Sequence, residues 1–134
     1  MQPQNWPIQQ IPGISRQQHT QLANVGITTT FELMRYCQRS LQKQHLSRSL
    51  SISMRDLNKW IAMADLARIP SVGGDYCGLL LHAGIGSVAQ LAAMSVQQVH
   101  KQIQRLQVQN LRRADLCPHR GQVAEWIQGA RRLC

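Results

Sequence analysis

The sequence predicts an all-α fold built from two copies of one helical unit, and three observations indicate it. Apolar residues recur with the spacing of amphipathic helices, residues typical of helix caps precede these runs, and two stretches of the chain match each other without a gap. Runs of β-branched residues that alternate with polar ones, which would indicate strands, are missing from the sequence.

The internal match is the strongest of these observations. Residues 11–33, IPGISRQQHTQLANVGITTTFEL, align without a gap on residues 69–91, IPSVGGDYCGLLLHAGIGSVAQL. The identical pairs are Ile11 with Ile69, Pro12 with Pro70, Leu22 with Leu80, Gly26 with Gly84, Ile27 with Ile85, and Leu33 with Leu91. Self-similarity of this kind indicates a repeated structural unit.

A second match lies downstream, after an insertion in the later copy. The segment LNKWIAMADL resembles VAEWIQGARRL, with Trp60 aligned to Trp126. We therefore expect a first repeat over residues 11–66 and a second over 67–134. Because such units bury their apolar faces against each other, we expect tandem pseudo-symmetric repeats in one compact domain.

The residues before the first repeat have a different composition. They are rich in Gln and Pro, and their one aromatic residue is Trp6. We expect a flexible N-terminal arm over residues 1–10, either disordered or attached to the body through Trp6 and Ile8.

The segments that carry the two tryptophans predict amphipathic helices. Each has apolar residues at i, i+3, i+4 and i+7, which places them on one helix face. They are Leu57, Trp60, Ile61 and Ala64 in the first copy, and Val123, Trp126, Ile127 and Ala130 in the second. We interpret both tryptophans as core residues rather than as platforms for stacked bases. A further amphipathic helix is predicted by Val96, Val99, Ile103 and Leu106.

Capping motifs mark the ends of the predicted helices. A Ser or Thr followed three residues later by Glu or Gln, the pattern of a capping box, occurs at Ser15, Thr29, Ser87 and Ser95. Gly26 and Gly84 follow short apolar segments, where a helix often ends on a left-handed glycine.

Composition restricts the partners that the protein can have. The 134 residues carry a formal net charge of +9, which favours an anionic partner such as nucleic acid or an acidic protein. The N-terminus has no charged residue and no apolar stretch typical of a secretory signal. No apolar run approaches the roughly 18 residues of a membrane-spanning helix. We expect a cytoplasmic protein without a transmembrane segment.

The sequence predicts no catalysis, cofactor, metal site or small-molecule substrate. The four cysteines include no C-x-x-C pair, and CPHR, which brings Cys117 close to His119, lacks a second ligand pair for zinc. The six acidic residues are scattered, the five histidines show no ligand spacing, and phosphate-binding or nucleophile motifs are missing. We expect reduced thiols that form neither a disulfide framework nor a metal centre.

Two short segments, IPGIS and IPSVGG, each lead into a predicted helix N-terminus, where backbone N–H groups suit a phosphate oxygen. Together with the Gly-Ile pairs that follow them, they resemble the hairpins of the helix-hairpin-helix superfamily. From about Ile11 to Leu133 the chain is similar to a domain-of-unknown-function family with helix-hairpin-helix-like repeats, found in bacteria of photosynthetic lineages and in plastids.

The resemblance implies contact with the DNA backbone through hairpin amides. It implies these candidate residues: Gly13, Ile14 and Ser15 in the first copy, and Val72, Gly73 and Gly74 in the second. Neither hairpin has both glycines of the superfamily pattern. Arg16 follows the first hairpin and would help hold a phosphate, whereas Asp75 follows the second and would compete for the same N–H groups. We expect the first hairpin to be the better phosphate site.

Basic residues add candidates for phosphate contact. Arg35, Arg39 and Lys43 recur every four residues, so a continuous helix would place them on one face, and Arg112 with Arg113 forms a further cluster. Two hypotheses follow. The first is a non-catalytic module that binds duplex DNA without sequence preference. The alternative is an interaction or assembly factor that uses the same scaffold to bind an acidic protein.

Overall fold

The structure, a computed structural model, describes residues 3–106 and 118–133. Within these ranges the chain forms eight α-helices and no strand, which confirms the predicted all-α class. The helices are α1 (Arg16–Asn24), α2 (Thr30–Tyr36), α3 (Ser40–Leu50), α4 (Met54–Leu66), α5 (Gly73–His82), α6 (Val88–Ala92), α7 (Val96–Leu106) and α8 (Arg120–Leu133).

Side-chain caps begin the helices where the sequence predicts them. Ser15 and Gln18 form a reciprocal capping box at the start of α1, in which each side chain bonds the other residue's backbone N–H. Ser95 and Gln98 do the same at α7. Such a box satisfies two N–H groups that a helix start leaves without an intrahelical partner, so these four residues fix where both helices begin.

The caps at α2 and α6 follow a variant of the box. Thr29 accepts a hydrogen bond from the N–H of Glu32, as predicted. The Glu32 carboxylate, however, accepts from the N–H of Thr28, one residue before the cap. The corresponding glutamine at α6, Gln90, likewise accepts from the N–H of Gly86. Each of these side chains therefore holds the loop before its helix as well as the helix start.

Glycines end α1 and α5 in the left-handed conformation that the sequence predicts. The φ angle is +85° at Gly26 and +95° at Gly84. The N–H of Ile27 bonds the carbonyl of Leu22 at 2.9 Å, which is the long bond of a Schellman motif. Each glycine therefore turns the chain sharply, and the isoleucine that follows it is buried.

The two tryptophan-bearing helices carry much of the core. Trp60 in α4 is 5% exposed and Trp126 in α8 is fully buried, which confirms their predicted packing role. Helix α4 contacts α2, α3 and α5, while α8 contacts α6 and α7. The indole N–H of Trp126 donates to the carbonyl of Ser71 at 3.1 Å, so its polar atom is satisfied inside the core.

The basic residues from Arg35 to Lys43 do not lie on one continuous helix, which corrects that expectation. Helix α2 ends at Tyr36 and α3 begins at Ser40, so the chain turns between them. Leu33 and Leu46 are both buried. In one straight helix, thirteen residues at about 100° each would place them on nearly opposite sides. The turn lets both face the core, and it divides the basic residues between two helices.

The N-terminal segment, residues 3–10, lies against the body. Ile8 is 1% exposed and donates its N–H to Thr28. Trp6 donates its indole N–H to the carbonyl of Ala67. Its backbone N–H donates to the hydroxyl of Thr30, and its carbonyl accepts from the N–H of Thr30. Trp6 and Ile8, the two possible attachment points named from the sequence, both make such contacts.

Close packing under the N-terminal segment gives a stability prediction. A Cβ atom at Gly74 would overlap the backbone carbonyl and side chain of Gln10, whereas a Cβ at Gly86 would meet only Leu81 at 4.0 Å. We expect Gly74→Ala to lower the free energy of unfolding by about 1–3 kcal/mol, because backbone must shift to relieve the overlap.

Thermal or denaturant unfolding of the two alanine variants measures this. Gly86→Ala is the matched control and should unfold at or slightly above the wild-type midpoint, because alanine restricts the unfolded chain. Equal midpoints for Gly74→Ala and Gly86→Ala would contradict the described packing of residue 10 on residue 74.

Candidate nucleic-acid interface

The first loop, residues 11–15, has buried ends and an open tip. Ile11 and Ile14 belong to the hydrophobic core, while Pro12 and Gly13 between them are exposed. The φ angle of Gly13 is +87°, and no atom lies within 4 Å of the position that a Cβ would take there. The two isoleucines therefore fix a tip whose backbone is accessible to another molecule.

Backbone donors at the first loop differ in their availability. The N–H of Ser15 donates to the side chain of Gln18 at 2.8 Å, so the cap uses it. Across residues 3–106 and 118–133, no hydrogen bond uses the N–H of Gly13, Arg16 or Gln17. Two of these lie in the first turn of α1, where the helix dipole favours an anion.

Among the described residues, the second loop, residues 69–73, bonds each of its backbone N–H groups except that of Ser71. The N–H groups of Val72 and Gly73 both donate to the carbonyl of Ile69, at 2.9 and 3.0 Å. A Cβ at Gly73 would lie 3.1 Å from the Trp6 ring. The predicted phosphate contacts Gly73 and Gly74 are therefore covered by the N-terminal segment, and the loop bonds internally.

A cavity of about 300 Å³ opens between the first loop, α4 and the end of α5. Gly13 lines it together with Lys59, Asp56 and His82, over a floor that includes Trp60. Lys59 and His82 were not among the candidates from sequence. The sequence places Lys59 directly before Trp60, which aligns with Trp126. The contact of Trp126 with the second loop, which makes this position informative, is seen only in the structure.

The predicted basic candidates are exposed to different degrees. Arg16, Arg35 and Arg39 are exposed, and Lys43 is half-buried. Arg112 and Arg113 lie outside the described residues. Arg35 borders a separate cavity beside Gly26 and Tyr36, which shares no lining residue with the cavity at the first loop. Arg35 and the first loop therefore line separate cavities.

Positive charge in the described part of the chain is almost wholly unpaired. The single ion pair found there joins Arg68 to Asp65, with 2.7 Å between nitrogen and oxygen. Asp65 also accepts from the N–H of Val88, so it caps α6 as well. The remaining described Lys and Arg side chains form no ion pair with a described acid.

Metal binding and thiol chemistry find no support in the described residues. No group of three His, Cys, Asp or Glu residues there could hold an ion.

Cys77 is a buried free thiol, and burial raises its pKa to about 11. Backbone hydrogen bonds lower this pKa and Asp75 raises it, both to smaller extents. Since the thiolate is the nucleophile, Cys77 is chemically inert near neutral pH.

Thiol titration tests this assignment. At pH 8 a thiol with a pKa of about 11 is ionised in about one molecule per thousand, so Cys77 should not react with a disulfide reagent in the native protein. Cys77→Ala should show the same number of rapidly reacting thiols as the wild type, and one fewer after denaturation. Loss of a rapidly reacting thiol in the native variant would show that Cys77 is accessible.

The fold and the first loop define an all-helical domain with an exposed glycine turn and unpaired positive charge. No helix in the described ranges is long and apolar enough to cross a membrane. A family model matches residues 12–133, so the chain belongs to the family described as a domain of unknown function, DUF4332. No curated protein and no solved structure matches the chain.

Proposed function

We propose that the protein is a non-catalytic module that binds the backbone of duplex nucleic acid without sequence preference. The observation that carries this proposal is the open tip of the first loop, where the unbonded N–H of Gly13 lies beside exposed cations. Arg16 follows the loop directly, and Lys59 lines the same cavity as Gly13. Backbone donors and exposed cations together suit a phosphodiester oxygen.

The proposal includes the tandem helix-hairpin-helix architecture. Corresponding helices pack in corresponding ways, with α2 against α4 and α6 against α8. Trp126 bonds the carbonyl of Ser71, and Trp60 lines a cavity with Gly13, the residue aligned with Ser71. These paired contacts support two related units, of which the first keeps an open hairpin.

Backbone binding fits the surface better than base stacking does. Both core tryptophans are buried, so neither offers a face to an unpaired base. Backbone binding needs only donors and positive charge, and its affinity falls as salt rises because counterions are released. A cytoplasmic location, as the sequence predicts, would give the protein access to such a partner.

A salt titration with generic duplex DNA tests the proposal. We expect measurable binding at low salt and a steep fall of log K with log salt. Arg16→Ala should make this slope shallower by about 0.9, the contribution of one phosphate contact. Arg120→Ala is the matched control, because Arg120 is also exposed and is the first residue of its helix, α8. Absence of binding at low salt would reject the proposal.

Amide chemical shifts give a second readout within the same molecule. On addition of duplex DNA, we expect the amide resonance of Gly13 to move and that of Gly73 to stay. Both are glycines with positive φ, but the N–H of Gly73 already bonds Ile69 and Trp6 covers the residue. Movement of Gly73 without Gly13 would contradict the assignment to the first loop.

The alternative, docking of an acidic protein, has one observation in its favour. The second loop is covered by Trp6 and Gln10, so only one loop remains for a phosphate. A scaffold with a single open hairpin could have lost nucleic-acid affinity while keeping its charge. Selective capture of an acidic protein from nuclease-treated lysate, together with no binding of duplex DNA, would favour this alternative.

A further inference from the structure

Three concave surfaces share lining residues with one another. The cavity at the first loop shares His82 with a second, of about 170 Å³, at the end of α5. That second cavity shares Gln102 and Arg105 with a third, of about 530 Å³, along α7. Each neighbouring pair has lining residues in common, so the three cavities adjoin in series, and together they are called the groove.

Helix α7 supplies one end of the groove with a polar, basic face. Its apolar residues Val99 and Ile103 are buried, while Lys101 and Arg105 are exposed. Four residues separate the two cations, so they lie one turn apart on the same face. Gln102 donates a hydrogen bond to the carbonyl of Ala83, which holds this face against the end of α5.

The charge of the groove is predominantly positive. Lys59, Lys101 and Arg105 line it, and none of them forms an ion pair in the described ranges. Asp56 is the one carboxylate among its described lining residues, and it borders only the cavity at the first loop. The α7 half is lined by cations, amides and two apolar side chains, without an acid among its described lining residues.

We infer that this groove, lined by Lys59, His82, Arg105 and Lys101, is the track of a nucleic-acid backbone that leaves the first loop. It extends the proposed function, on which it rests, from one phosphate to several consecutive ones. The contact surface therefore runs from Gly13 over the end of α5 to α7. It does not include the cluster of Arg35 and Arg39.

A duplex backbone fits the groove for two reasons. Several cations along one series of cavities can each contact a phosphate, and each contact releases counterions. The groove also presents amide donors beside its cations, and neutral donors contribute to phosphate contacts in protein–DNA complexes. Trp60 contributes to the floor of the groove but is 5% exposed, so the groove offers little surface for base stacking.

The test compares two double variants that each remove two positive charges. Lys101→Gln with Arg105→Gln alters the groove, and Arg35→Gln with Arg39→Gln alters exposed residues outside it. Binding of a generic duplex is measured across a salt series for both variants and the wild type. We expect the groove variant to lower the salt slope by about 2 and the control variant to leave it unchanged. Circular dichroism and unfolding midpoints check that both variants fold.

The outcomes separate this inference from the proposed function. If the wild type binds and only the groove variant loses slope, the track is supported. If the control variant loses as much slope as the groove variant, or more, the inference is overturned while duplex binding stands. If the wild type binds no duplex at low salt, the proposed function itself fails.

Discussion

Burial of one face of α4 is the constraint on which the packing of α2, α3 and α5 depends. Leu57, Trp60 and Ala64 repeat with helical spacing and are all buried, and α4 contacts α2, α3 and α5. Burial of such side chains gives about 25 cal/mol for each Å² of apolar surface removed from water, so this face cannot turn outward without a large loss. The same helix geometry leaves Lys59, one residue before Trp60, at the edge of the cavity beside the first loop. Burial of this face of α4 therefore also determines where Lys59, a candidate phosphate contact, lies.

The two loops that align in sequence differ in what lies on them. The first is open, with Gly13 exposed and its N–H unbonded in the described part of the chain. The second bonds internally through Ile69 and lies under Trp6. Two similar stretches of sequence thus differ in accessibility, because a short segment outside both stretches covers only one of them.

Local structure could be read from the sequence more completely than the surface could. The capping boxes at Ser15 and Ser95 and the left-handed glycines depend on residues within one turn of each other, so short motifs predict them. The break between α2 and α3 was missed because it contains no proline or glycine. It follows instead from the need to bury Leu33 and Leu46 on the same core, which depends on the packed fold.

The residues of the candidate site also differ in how far the sequence predicts them. Arg16 and Gly13 are adjacent in sequence to a recognisable loop, and the structure places both at its exposed side. Lys59, His82 and Arg105 come from three helices, and only the packing of α5 between α4 and α7 joins them in one groove. Spacing along the chain does not predict that these three residues come together. The regular spacing from Arg35 to Lys43 instead suggested one helix face, but the folded chain divides these residues between two helices.

Attachment of residue 6 to residues 67 and 73 has a consequence for the order of events during synthesis. At about 5–20 residues per second, residue 73 is made on the order of 3 to 13 s after residue 6. For that time Trp6 and Ile8 have no second loop to cover, and their apolar surface stays in contact with water or with other proteins. Closure of the N-terminal segment is therefore a late step that waits for α5. A nascent chain halted before that helix would present an isoleucine that the finished protein buries and a tryptophan that it half-buries.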